Sequence, residues 1–135
     1  MSMKVLIVDP DQHFCEMATK YLESHAHLTV TTADTADALA QVRGWQADLV
    51  IVAGEVVDRA FMNSLYGMRP RPAVLVTEHL DSFGRAWRVW QMGGDELLMK
   101  PVLRAAELHE AIVTALENAA AGVRGLATHP VAVPA

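Results

Sequence analysis

The chain carries a single cysteine, Cys15, in 135 residues. An internal disulfide and a multi-cysteine zinc site are therefore both excluded, and a lone thiol suits a reducing compartment. Positive charge is also scarce. There are 11 Lys and Arg against 16 Asp and Glu, a formal net charge of −5, whereas nucleic-acid-binding chains normally present a clustered basic face. Long apolar runs are missing too. The stretch Val5-Leu6-Ile7-Val8 is stopped by Asp9, too short for a signal-peptide core, and no segment approaches a membrane span. The expectation is a cytoplasmic chain with neither nucleic acid nor membrane among its partners.

What is present is a globular composition, 52% hydrophobic and 20% charged, at a length that fits one domain with a real core. Short β-branched apolar runs at Lys4–Val8, Leu28–Thr32, Leu49–Ala53, Ala73–Thr77 and Glu96–Met99 alternate with longer amphipathic stretches. These stretches predict helices over Asp11–Ser24, Thr35–Trp45, Asp58–Tyr66, Ser82–Met92 and Ala105–Ala120. Near-continuous apolar strands alternating with helices are the pattern of βα units on a parallel sheet covered on both faces. Asp11 is placed to cap the first helix, and Asp81 or Ser82 the fourth. Gly93-Gly94 can stop the fourth helix. Leu108, Ala111, Ile112, Ala115 and Leu116 make one buried stripe on the last.

The predicted fold is an α/β three-layer α/β/α sandwich with a flavodoxin-like, five-stranded parallel sheet of order 2-1-3-4-5. The domain covers 1–120. Residues 121–135, with Gly122, Gly125, Pro130 and Pro134 among small residues, read as a mobile C-terminal tail, or as a linker if the chain continues.

In such a sheet, ligands and chemistry collect where the strands end. The ends here are Asp9-Pro10-Asp11, Ala53-Gly54-Glu55, Thr77-Glu78 and Met99-Lys100-Pro101. Three segments carry a family likeness: Val5-Leu6-Ile7-Val8-Asp9, Ala47-Asp48-Leu49-Val50-Ile51-Val52, and Gly93-Gly94-Asp95-Glu96-Leu97-Leu98-Met99-Lys100-Pro101. Their order and spacing over residues 3–120 resemble response-regulator receiver domains of chemotaxis-type, two-component signalling.

The resemblance implies an acidic pair that helps hold magnesium after the first strand, a phospho-acceptor aspartate at the end of the third, a switch hydroxyl, and a lysine followed by a cis-prone proline. Asp9 matches the first acid, but Pro10 stands where the second would be, and Asp11 is one position late. Ala53 stands at the acceptor position, and an alanine methyl has no lone pair with which to attack phosphorus. Thr77, Lys100 and Pro101 match their counterparts. Leu97 replaces the aromatic residue that often rotates on activation. The chain therefore looks like a degenerate member, a pseudo-receiver with no metal, no cofactor and no catalytic residue. Lys100 is expected to pair with Asp9, and Glu55 is a further possible charge partner.

Several features have a plain reading beside the sharp one. Glu55 reads as a solvated loop carboxylate rather than a phosphate mimic. Thr77, with no phosphoryl group to meet, reads as a strand-end hydroxyl bonded to backbone. His25 and His27 lack a third convergent ligand for a metal, and Cys15 reads as a small hydrophobe within a helix. Trp87 and Trp90, beside Arg85 and Arg88, either cover the flank of the core or form a contact surface of the kind that dominates binding hot spots.

The reading these support is a non-enzymatic, single-domain response regulator working as a phosphorylation-independent interaction module. Its partner is a signalling protein or a second copy in a homodimer. The alternatives are a small-molecule-sensing flavodoxin-like binding domain, which the glycine-free first loop disfavours, and a receiver fragment of a larger signalling protein.

Overall fold

The structure, a computed structural model, describes residues 2–79, 81 and 83–122, without the side chains of Phe83, Ala86, Val89 and Trp90. The tail beyond residue 122, the Ser82 cap and the Trp90 side chain therefore lie outside the described residues. Ten elements follow one another: β1 (Lys4–Val8), α1 (Gln12–Ser24), β2 (Leu28–Thr32), α2 (Thr35–Trp45), β3 (Leu49–Ala53), α3 (Arg59–Tyr66), β4 (Ala73–His79), α4 (Phe83–Met92), β5 (Glu96–Lys100) and α5 (Ala105–Ala120). The strands form one parallel sheet in the order β2-β1-β3-β4-β5, as the sequence pattern predicts.

Burial explains the strand composition. β3 is buried at all five positions and β4 at all but its last, so both pleat faces must be apolar. Val5, Ile7, Leu49, Ile51, Leu75 and Leu98 meet Phe14, Leu22, Leu108 and Ile112 of α1 and α5 on one face. Leu6, Val8, Val50, Val52, Val74 and Val76 meet Ala38, Val42, Phe61, Met62 and Leu65 of α2 and α3 on the other. β2, at an edge, is more exposed.

The helix starts are set by side-chain caps. Carboxylates of Asp11, Asp34 and Asp58 accept from the N–H groups of Phe14, Asp37 and Phe61 at 3.1, 2.9 and 2.8 Å, each filling an otherwise unpaired donor. At the other end of α4, Gly93 and Gly94 take φ values of 110° and 109°, a conformation that L side chains rarely adopt.

One network went unanticipated. Asp95, fully buried just before β5, accepts from both terminal nitrogens of Arg71 at 2.8 and 3.0 Å, and from the N–H of Val74 at 2.7 Å. Arg71 in turn lies 4.8 Å over the Tyr66 ring, whose hydroxyl accepts from the Gly94 N–H at 2.6 Å. Asn118 of α5 donates to the Asp95 carbonyl at 2.7 Å. The guanidinium is held in its charged form by the side-chain hydrogen bond to Asp95, against the pull of burial. This cluster fixes the start of β4 and β5 at the amino edge, and so fixes where the two strands deliver Thr77 and Lys100 at the opposite edge.

Candidate functional site

Pleat alternation sorts the carboxyl edge into two faces. Val8 is the register partner of Val52 and Ala53 that of Thr77, while Leu98 stands beside Thr77. Counting by twos along each strand places Asp9, Ala53, Thr77 and Lys100 on the α1/α5 face, and Gly54 and Glu78 on the other.

On the first face, Lys100 Nζ lies 2.7 Å from Asp9 Oδ2 and 3.4 Å from Asp11 Oδ2, with both Lys100 and Asp9 buried. The ammonium also sits 4.5 Å over the Phe14 ring. The expected Asp9–Lys100 pair is thus present. Asp9 Oδ1 accepts from the Asp11 N–H at 2.9 Å, so both oxygens of this carboxylate are committed. Asp11 does double service, capping α1 with one oxygen and facing Lys100 with the other. Burial pulls the Asp11 carboxyl upward, but the Phe14 N–H and Lys100 outweigh it and hold it below its ordinary value.

Glu55, the other expected partner of Lys100, does not take that role. It is exposed on the β3–α3 turn, and its charge contributes instead to the field at Arg85. The magnesium ion that the receiver resemblance implies does not fit this donor set. Pro10 and Ala53 offer no side-chain oxygen, the Asp9 oxygens are already engaged, and magnesium affinity comes from clustered carboxylates. Among the described residues no group of three or more His, Cys, Asp or Glu is placed to hold a metal.

Thr77 departs from expectation. Its hydroxyl is buried and has no hydrogen-bond partner among the described residues, rather than bonding backbone. Its strand neighbours Ala53 and Leu98 present only hydrocarbon side chains. Leaving a buried hydroxyl unpaired costs about 1–3 kcal/mol.

The second face holds what the sequence concealed. Glu78 is 2% exposed. Its Oε1 accepts from the His79 N–H at 2.9 Å, and its Oε2 accepts from Arg85 Nε at 2.8 Å. The Glu78 carboxylate lies against Gly54, where a Cβ would collide with it. Arg85, expected on an open contact surface, is therefore half-withdrawn into an ion pair, and that hydrogen bond to Glu78 holds its guanidinium further toward the charged form. Trp87 is 49% exposed and Arg88 is exposed beside it.

A cavity of about 450 Å³ opens on the α1/β2 side of Asp9, lined by Gln12, Cys15, Glu16, Thr31 and Thr32 among others. Its two carboxylates, Asp9 and Glu16, disfavour a phosphate-bearing ligand. Cys15 donates to the Asp9 carbonyl at 3.4 Å. Burial, reinforced by the charge of Asp9, raises its thiol from an ordinary 9.0 to about 11.

No family model matches the sequence, and no curated protein matches it. Solved structures do. The chain is similar to the CheY-like response regulator receiver domain protein from Methanospirillum hungatei, with 19% identity and a TM-score of 0.72, covering 90% of this chain and 100% of that one. Against the chemotaxis response regulator CheY4 of Vibrio cholerae, the values are 20% and 0.73, over 86% and 100% of the two chains. NtrX from Brucella abortus gives 21% and 0.77 over 90% of this chain, but over only 28% of its own length. The fold is thus the flavodoxin-like fold of receiver domains.

Two outcomes follow from this geometry. Asp9→Ala should lower unfolding stability by about 3 kcal/mol, the lower end for breaking a buried pair because Asp11 remains beside Lys100. An unchanged denaturation midpoint would show that the pair carries no weight. Cys15 should react slowly with iodoacetamide at pH 8, where about one thiol in a thousand is ionised. Its rate should climb through pH 10, and a plateau below pH 9 would contradict the raised thiol.

Proposed function

We propose that this protein is a receiver-fold module of two-component signalling that acts by binding another protein, or a second copy of itself, without passing through a phosphorylated state. The observation that carries the reading is the unpaired Thr77 hydroxyl beside the Ala53 methyl. A carboxylate at position 53 would accept from that hydroxyl; alanine leaves it orphaned and supplies no nucleophile. Asp9 adds support, since both of its oxygens are already engaged by Lys100 and Asp11. The reading makes the protein a non-enzymatic pseudo-receiver, and its association with two-component signalling rests on the response regulators it resembles in fold.

A module without switchable chemistry at this edge must work through a surface it always presents. α4 is the best candidate. Its sequence, FGRAWRVWQM, has two arginines and no acid, and it exposes Trp87. Large aromatics and arginines dominate binding hot spots.

Incubation with acetyl phosphate and magnesium should leave the intact mass unchanged; a stable phosphoryl adduct would sink the phosphorylation-independent reading. Separately, Trp87→Ala should keep the native circular dichroism spectrum while weakening self-association or capture of a cognate signalling protein by roughly tenfold or more, as a hot-spot residue does. Unaltered association places the contact surface elsewhere.

A further inference from the structure

We infer that Glu78 and Arg85 form a latch that fixes α4, and with it the Trp87 surface, against the carboxyl edge of the sheet. This deepens the reading above, as what holds the same surface in place, and rests on it.

The latch has three parts. The first is a fixed carboxylate: Glu78 belongs to β4, its side chain is 1% exposed, and its Oε1 is held by the next backbone N–H at 2.9 Å. The second is the guanidinium that α4 brings to it. Arg85 Nε donates at 2.8 Å, and the Arg85 side chain is 34% exposed. The third is the seat. Gly54 donates its N–H to the Thr77 carbonyl at 2.7 Å, and the missing Cβ leaves room for the Glu78 carboxylate.

The asymmetry of exposure gives the pair its force. A buried carboxylate that loses its partner is left uncompensated in a low-dielectric setting, so Arg85 cannot swing away without a large penalty. Other charges act on Arg85 at longer range. Glu55 on the β3–α3 turn and Asp81 before α4 both favour its charged form. Both are exposed, so water screens their charges and they act on the guanidinium more weakly than Glu78 does. Glu78 thus selects the position of α4, and Glu55 and Asp81 add only a screened background field. The position of the helix is set by a permanent internal charge, and the surface next to Arg85 is presented continuously.

Hydrogen exchange of the whole protein, read by mass spectrometry on the peptide spanning residues 83–92, tests this. Glu78→Gln, Arg85→Gln and Gly54→Ala each disable a different part of the latch. Each should raise exchange in that peptide about tenfold or more, while peptides from β1, β3 and α5 keep their protection, the pattern of local rather than global opening. Arg85 is half-exposed, so Arg85→Gln answers the question even if Glu78→Gln fails to fold. Unchanged exchange in residues 83–92 overturns the latch, and so does a loss of protection that is uniform across the chain. The measurement is made on the chain alone, at a dilution where sedimentation shows a monomer, so neither a signalling protein nor a second copy covers α4. A failed latch therefore leaves the binding role of Trp87 standing, and failed binding leaves the latch standing.

Discussion

A buried lysine has to be answered by negative charge, and much of the carboxyl edge follows from how Lys100 is answered. Its ammonium reaches Asp9 at 2.7 Å and Asp11 at 3.4 Å. That geometry brings the end of β5 to the end of β1 across the sheet, and ties both to the first turn of α1 through the Asp11 cap. An isolated charge in this setting would carry a large desolvation penalty. Asp9 therefore serves as a counter-ion with no oxygen left over for a metal. The same residue types that could support phosphoryl chemistry are bound into a closed electrostatic unit.

The sheet distributes such units with some symmetry. At the amino edge, Asp95 and Arg71 hold the starts of β4 and β5. At the carboxyl edge, Lys100 with Asp9 secures the α1/α5 face and Glu78 with Arg85 the opposite one. Hydrophobic burial supplies the bulk of the stability but is non-directional. The ion pairs add direction, setting which strand end meets which helix.

The fold was legible because the sheet is covered on both sides. Runs such as Leu49-Val50-Ile51-Val52 cannot be mistaken for half-exposed strands, and each of α1, α2 and α3 is announced by an aspartate at its cap. Asp9 and Lys100 were legible as a pair through the receiver resemblance, which sets both at the carboxyl edge, and because a lysine buried there needs a counter-charge. Glu78 was hidden because glutamate is ordinarily solvated, and because its partner lies seven residues on, across a strand-to-helix turn rather than on one helix face. β4 accordingly runs two residues further than its apolar run suggests, to His79. Asp95 was hidden for a similar reason: an aspartate after two glycines looks like a turn residue, and Arg71 is 24 positions away. One clue was available. A glycine directly after a wholly apolar strand marks a close approach by something else, and here that something is the Glu78 carboxylate.

The contact at Gly54 also constrains how this sequence can drift. A Cβ at position 54 displaces the Glu78 carboxylate, and a displaced or neutralised Glu78 removes the reason for an arginine at 85. Substitutions at the three positions are therefore not independent: each single change is costly while the other two stay as they are. Among relatives of this chain, positions 54, 78 and 85 are expected to change together, as one heritable character spread over 32 residues of sequence.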